Sequence, residues 1–473
     1  MRVLLINPTQ AYAIDSEAGG AVEDGAGCYP PLGLLHLQAG LNASGRHEAK
    51  VFDANLLGVT YEEALGRRIG EFDPHLIGIM ALTPNLPSVV HTVATVKRKM
   101  PSVNIVIGGP HTRFFSEETS QLEGVDFVLP GEAENTLPMF ADQLEEGREP
   151  LQIPGLVTKA GLPLMPGESA PPPANLDALP LPDRSGMDIG AYRGIGGMDC
   201  VFTTMITSRG CPHRCTFCST PRGAFRARSV GSIVEEMSQC ADLGIEHIYF
   251  LDDTFPTTGA RARELFDTLA GRSDLPSWSC RTIAGGLNED TLARMKNAGC
   301  LRVQVGVETW SDEGLELLGK RTSIEKIQRT FSAARKVGVP SVAYFMLGLP
   351  HERCADDVRQ LGVFARSLAP TYAMFNVLTL YPGTELFRQA VDKGLVSDDV
   401  WRQFALHPNQ HFEPPIWDEF LGRDQLNALQ DEAYRSFYLR PSVILREALT
   451  GGGLVRKVKA GLRMVFGSRR AQA

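Results

Sequence analysis

"SRGCPHRCTFCST", residues 208–220, sets Cys211, Cys215 and Cys218 close together, with three and then two residues between them. The chain has nine cysteines in 473 residues, an odd count, and its start, MRVLLINPTQ, runs into polar sequence rather than a secretory cleavage site. A disulfide framework is therefore the poorest explanation of the triplet. Two metal readings stay open. A structural zinc site almost always takes four ligands and would have to recruit Cys200 or His213 as the fourth. A 4Fe-4S cluster normally takes four thiolates, and three would leave one iron open for a substrate or cofactor. The spacing favours the cluster.

Working outward, the triplet follows an expected strand at 202–208, and aliphatic runs predict further strands at 247–252, 278–283, 301–307, 342–347 and 373–380. Helical patterns at 230–243, 259–270, 288–298, 323–336 and 353–367 separate them. Six strand-helix units predict a partial or complete parallel barrel, with the cysteines at the carboxyl-end face where barrel enzymes place their chemistry. In the 301–308 segment Arg302, Gln304 and Glu308 fall on one face, and Leu301, Val303, Val305 and Val307 on the other. An outer face packed on helices is aliphatic, so the polar residues predict an occupied, polar interior.

Residues 1–146 repeat the alternation, with strands expected at 3–7, 50–53, 76–82, 103–109 and 125–131 and helices between them. This predicts a doubly wound parallel sheet. Such sheets bind ligands beyond the carboxyl ends of their strands. The loops there read Asn7-Pro8-Thr9, Asp53 to Gly58, Thr83-Pro84-Asn85, Gly108-Gly109-Pro110-His111 and Gly131-Glu132-Ala133-Glu134. Small residues let backbone approach a large flat ligand. No GxGxxG follows the first strand, which disfavours a dinucleotide.

Between 150 and 182 lie nine of the 31 prolines, a stiff linker composition, so the expected divisions are 1–146, a linker at 147–195, a barrel at 196–395 and a capping region at 396–473. Near the end, LVRKVKAGLRMVF (454–466) has the pattern of a basic amphipathic helix, suited to peripheral contact with a membrane surface or to docking on the protein itself. The net charge of −8 argues against a protein built for phosphate backbones. No uninterrupted apolar run approaches 18 residues, and the expectation is a cytoplasmic protein.

CPHRCTFC matches the CxxxCxxC signature of radical S-adenosylmethionine (SAM) enzymes, and residues 195–395 resemble their barrel. The resemblance implies a 4Fe-4S cluster on Cys211, Cys215 and Cys218 whose open iron binds SAM, and cleavage of SAM to methionine and a 5'-deoxyadenosyl radical. It also implies SAM contacts from Phe217, from Glu308 at the end of the fourth strand and from Gly348 in the Gly348-Leu349-Pro350 turn. Leu251-Asp252-Asp253-Thr254-Phe255 stands where the family usually has Gly-Gly-Glu, which makes Asp252 and Asp253 the candidate contacts to the methionine amine. The first 146 residues resemble the cobalamin-binding domain of the class B radical SAM methyltransferases and of the anaerobic magnesium-protoporphyrin cyclase. By that resemblance Thr9, Asn55, Thr83, Gly108, Gly109, His111, Gly131 and Glu132 border cobalamin. The usual Asp-x-His-x-x-Gly is here Asp53-x-Asn55-x-x-Gly58, and an amide is a poor cobalt ligand beside imidazole, so cobalamin is expected base-off with no histidine below the cobalt.

These features imply an enzyme that works anaerobically on a small-molecule substrate of hydrophobic character, with flavodoxin or ferredoxin as reductant and no nucleic-acid partner. Methylation of an unactivated carbon is the leading reading, and oxidative cyclisation or rearrangement of a tetrapyrrole or lipid is the alternative. No catalytic acid or base is identifiable. A tRNA methylthiotransferase would carry three cluster cysteines in its N-terminal domain, where this chain has Cys28 alone. The reading of another class, a zinc-bearing nucleic-acid module, is disfavoured by the charge and by two α/β domains.

Overall fold

A computed structural model describes residues 1–14, 27–148, 153–159, 171–192, 194, 200–220, 224–441 and 443–445. The 454–466 stretch read above as a basic helix lies outside them. The chain divides into two compact units, the first made of Met1–Ser16, Pro30–Ala191 and Ser397–Glu413, the second of Glu17–Tyr29, Tyr192–Val396 and Pro414–Ala473.

The first unit is built on β1 (Arg2–Asn7), β2 (Glu48–Asp53), β3 (Leu76–Met80), β4 (Asn104–Gly108), β5 (Phe127–Leu129) and β6 (Val157–Thr158). Their spatial order is β2-β1-β3-β4-β5-β6, with every pair parallel except β5 and β6. Val3, Leu4, Leu5 and Ile6 are all buried, because a central parallel strand is covered on both faces and needs an unbroken aliphatic run. The helix Tyr61–Phe72 buries Tyr61, Leu65, Ile69 and Phe72, a spacing that keeps one stripe against the sheet, and Asp73 in a left-handed conformation (φ 45°) ends it. Strand order reverses between β1 and β3, which opens a crevice beyond their carboxyl ends.

Two expected divisions differ. The segment read as pure linker supplies β6, because Ile153, Leu156 and Val157 are buried and extend the core past β5. The region after 396 is divided between the two units. Ser397–Glu413 belongs to the first unit, where Phe404 stacks on Phe412, Trp401 packs edge-on against Phe404, and Arg402 pairs with Glu118 at 2.8 Å.

The second unit holds β7 (Phe202–Met205), β8 (Ser208–Arg209), β9 (Arg226–Ala227), β10 (His247–Phe250), β11 (Ser277–Ile283), β12 (Cys300–Glu308), β13 (Ser341–Leu347) and β14 (Tyr372–Val377). Six of them form one parallel sheet in the order β14-β13-β12-β11-β10-β7, so every crossover joins neighbours, as in a six-unit partial barrel. The outer edge of β14 is satisfied by the helix Arg423–Tyr438. The Tyr434 hydroxyl accepts the Phe375 N–H at 3.0 Å, the Tyr438 hydroxyl accepts that of Ala373 at 3.0 Å, and Gln430 donates to the Phe375 carbonyl at 2.8 Å. Side chains thus blunt a strand edge that would otherwise invite pairing. β8 and β9 form a short antiparallel pair that bounds the cysteine loop.

Candidate functional site

The cysteine loop is anchored from beneath. Asp252, just after β10, is buried, and its carboxylate accepts the Thr207 N–H at 3.1 Å, the Thr207 hydroxyl at 2.8 Å and the Ser208 hydroxyl. Burial pushes its pKa up, against the pull of these donors. Leaving one such buried donor without an acceptor costs about 1–3 kcal/mol, so Asp252 ties β10 to the start of the loop. Its neighbour Asp253 is exposed and accepts the Gly210 N–H at 3.0 Å. Of the two expected SAM contacts, Asp252 faces inward onto Thr207 and Ser208, while Asp253 sits at the surface.

A second strut comes from the turn after the helix Asp312–Leu317. The Thr216 N–H donates to the Leu318 carbonyl at 3.0 Å and its hydroxyl to that of Leu317 at 3.1 Å, while Leu386 N–H donates to the Thr216 carbonyl at 2.9 Å. The turn can approach because residue 319 is glycine, with φ 65°; a Cβ there would stand 2.9 Å from the Arg214 carbonyl oxygen. Between these struts Cys211 and Cys215 are half-buried, Cys218 is exposed, and all three are free thiols. Burial pushes the Cys211 thiol up and that of Cys215 up to about 11, with Lys320 opposing and the neighbouring thiols reinforcing. A bound cation inverts that balance, because a coordinating thiol is deprotonated outright.

The donor set fits a cluster better than one ion. Zinc–sulfur bonds of about 2.3 Å place tetrahedral ligand sulfurs roughly 3.8 Å apart. Among the described residues, the group of three or more His, Cys, Asp or Glu whose ligand atoms all lie within 4.8 Å of one another is His47, Asp142 and Glu145, not the cysteine triplet. At least one pair of the three sulfurs is therefore farther apart than that, which suits the separate corners of an iron-sulfur core.

Glu308 ends β12 in a left-handed conformation (φ 69°), unusual for a residue other than glycine and a sign of strain held in place by its surroundings. Its Oε1 lies 2.6 Å from Lys320 Nζ, which also donates to the Gly306 carbonyl at 2.9 Å. Gly306 leaves room for this pair: a Cβ there would stand 2.4 Å from Glu308 Oε1 and 2.9 Å from Lys320 Nζ and would displace them. Lys320 acts electrostatically on Cys211, Cys215 and His213, so this pair borders the cysteine loop. After β13, Gly348 (φ 77°) and Leu349 turn their N–H groups onto Glu352 Oε2 at 2.7 and 2.9 Å. Burial pushes the Glu352 carboxyl up to about 7. Phe217 is half-buried within the loop.

Sequence reasoning missed Lys320, Gly306 and Glu352. Gly306 carried a signal, since glycine inside a strand marks a close approach. Lys320 carried none, because its partner is chosen by a turn twelve residues downstream of Glu308.

In the first unit, Asn7 Nδ2 donates to Asp53 Oδ1 at 2.7 Å, and Asp53 caps the short turn that carries half-buried Asn55. Thr83, Gly108, Gly109 and Glu132 are half-buried and Gly131 is exposed, all at the carboxyl ends of β3, β4 and β5. Gly109 (φ 104°) brings its backbone against Ala81, where a Cβ would stand 2.7 Å from the carbonyl oxygen. Thr9 and His111 are both wholly buried. His111 packs on Phe115 and places Nδ1 3.1 Å from Thr83 Oγ1, and burial lowers its pKa to about 4, so it is a neutral brace under the Thr83 loop. The remaining small, accessible residues flank the crevice between β1 and β3, and suit a broad planar ligand.

The pattern described as the radical SAM superfamily matches residues 205–357, and that of the B12 binding domain matches residues 20–141. An uncharacterised methyltransferase of Pyrococcus horikoshii is 30% identical over 98% of this chain and 99% of its own length. The chain belongs to the cobalamin-binding radical SAM enzymes. Also similar is the anaerobic magnesium-protoporphyrin IX monomethyl ester cyclase of Rubrivivax gelatinosus, 26% identical over 94% of this chain and 78% of the cyclase. Among solved structures, the radical SAM methyltransferase TsrM from Kitasatospora setae, with cobalamin and a 4Fe-4S cluster bound, shares the fold with a TM-score of 0.67 at 21% identity, over 83% of this chain and 78% of that one. This radical SAM enzyme uses a 4Fe-4S cluster, SAM and cobalamin. No helix among its described residues is long and apolar enough to cross a membrane.

Proposed function

We propose that this enzyme methylates an unactivated carbon of a small molecule. The observation that carries the reading is the end-to-end similarity, 30% over nearly the whole of both chains, to a protein named as a methyltransferase. When bound, the cluster and SAM supply radical removal of a substrate hydrogen, and cobalamin supplies the methyl group.

The chain's own part is to hold and to shield. Cys211, Cys215 and Cys218 hold the cluster. Phe217, Asp253, Glu308 and Gly348 border SAM, with Lys320 fixing the Glu308 carboxylate. Asn55, Thr83, Gly108, Gly109, Gly131 and Glu132 border cobalamin, and Thr9, His111 and Asp252 brace these loops from within. The electron comes from a low-potential donor of the flavodoxin or ferredoxin class.

Comparison of metabolites from cells with and without the gene tests the reaction. Products that exceed their precursors by one CH2, and that take label from methyl-labelled methionine, are expected. Products that differ instead by lost hydrogen and a new ring would replace this reading with oxidative cyclisation, which the similarity to the cyclase supports.

Asn55 leads to a separate expectation about cobalt. The electron paramagnetic resonance spectrum of the cobalt(II) form should lack splitting from an axial nitrogen, since an amide side chain is a weak ligand there. A nitrogen-split spectrum would contradict the assignment of Asn55, and failure to bind cobalamin at all would remove the methyl-transfer reading.

A further inference from the structure

Inside the barrel, on the strand faces that carry Arg302 and Gln304, a second set of polar groups converges. Arg281 of β11 stands in register opposite Gln304 of β12. Its Nε donates to the Tyr249 hydroxyl at 3.3 Å, and that hydroxyl donates onward to Gln304 Oε1 at 3.0 Å. The Tyr344 hydroxyl donates to the same oxygen. Two donors on Oε1 fix the orientation of the amide and turn Nε2 away from the tyrosines. That nitrogen belongs to a wholly buried side chain and has no hydrogen-bond partner among the described residues.

Two more donors lie alongside. The terminal nitrogens of Arg281 form no hydrogen bond or ion pair among the described residues, although the side chain remains accessible. Tyr29 packs its ring 5.9 Å from that of Tyr249, and its buried hydroxyl has no hydrogen-bond partner among the described residues. Burial pushes the Tyr29 and Tyr344 hydroxyls up, so both stay protonated donors. Buried Arg302, two residues before Gln304 on the same face, adds a second positive charge. The Gln304 Oε1 acceptor, by contrast, is already engaged by two hydroxyls. A buried amide left without a partner costs about 1–3 kcal/mol, and a ligand that accepts from it removes that cost.

We propose that the substrate carries an oxyanion, a carboxylate or a phosphate, and that Arg281 and Gln304 bind it inside the barrel. The guanidinium fork matches either group bidentately, and the Gln304 amide and Tyr29 hydroxyl supply further donors. The anchor lies at a defined depth. Beyond Gln304, β12 is bulged between Gly306 and Glu308, and the Glu308 carboxylate folds back beside Gly306, so the anchor lies deeper along β12 than that carboxylate, separated from it by about two residues of strand, roughly 7 Å at 3.3 Å per residue. This rests on the reading of the barrel as the substrate chamber of the methyl transfer.

Thermal unfolding of the full chain, titrated with sodium octanoate, with inorganic phosphate and with SAM, each against sodium chloride at equal ionic strength, tests the site. The expected result is that octanoate or phosphate raises the melting temperature of the wild type, the effective anion naming the class. Arg281→Gln and Gln304→Glu should each weaken that anion at least tenfold, while the shift produced by SAM persists. Gln304→Glu keeps the oxygen bound by both tyrosines and replaces the free donor with a negative charge, so it decides the matter even if Arg281→Gln fails to fold. No shift beyond chloride in the wild type, equal shifts in wild type and variants, or loss of the SAM shift along with the anion shift would each overturn the proposal. The titration involves no turnover and no cobalamin, so its failure leaves methyl transfer standing, and failure of methyl transfer leaves the anion site standing.

Discussion

Replacing Cys211, Cys215 and Cys218 together with alanine should strip iron from the anaerobically purified protein and reduce SAM cleavage to background. Thiolates are the ligands that hold iron-sulfur clusters, and no other cysteine lies in this loop to replace them. The fold should survive. The three side chains occupy a loop held by its own struts, Asp252 beneath and the Leu317–Leu318 carbonyls beside it, and none of the three takes part in the barrel core. Substitutions away from a core commonly change stability by about 0.5 kcal/mol or less, so circular dichroism and melting of the metal-free forms should coincide. Iron and sulfide analysis, with 5'-deoxyadenosine as the product followed, decides the matter. A triple variant that still cleaves SAM would end the assignment.

Glu308→Gln should raise the KM for SAM roughly 10- to 100-fold, the equivalent of losing one charge-assisted hydrogen bond of about 1.5–3 kcal/mol. The same change strands the Lys320 ammonium, whose side chain is 6% exposed beside a carboxylate that is 11% exposed. Breaking a buried pair by removing one partner costs about 3–5 kcal/mol, so the melting temperature should fall as well. The two effects separate in the Glu308→Gln, Lys320→Met double variant. With the stranded charge gone its stability should recover, and the KM should stay high because the carboxylate is still missing. If the double variant regains wild-type KM together with its stability, Glu308 only maintains structure and SAM does not touch it.

Much of the architecture was legible because its causes are local. A strand buried on both faces must be aliphatic throughout, which made β1, β3 and β4 readable, and a helix packed on one side repeats its apolar residues every three or four positions, which made Tyr61–Phe72 and Ile324–Val337 readable. The cysteine triplet was legible for the same reason, since eight consecutive residues contain it. Misreadings occurred where burial came from afar. The proline-rich stretch after 150 has no periodicity of its own, yet Ile153 and Leu156 are drawn into the first core because β5 offers an edge to Val157 and Thr158. Composition near 400 gave no hint that Trp401 and Phe404 pack with the N-terminal sheet's unit.

For the site, the sequence alone determined which residue types stand at the carboxyl ends of which strands, because alternation along a strand assigns each side chain to a face and glycine or proline marks where the strand stops. It placed Arg302 and Gln304 on the inner face of β12 without the aid of any partner. What each residue meets there was decided only by the tertiary structure. Asp252 turns inward to Thr207 and Ser208, Lys320 returns from a distant turn to Glu308, and residues 29, 249, 281, 304 and 344 assemble one set of hydrogen-bond donors. The physical reason is that a face is a property of local backbone geometry, whereas a contact across the barrel depends on strand order, register and loop closure over tens to hundreds of residues, which no local pattern encodes.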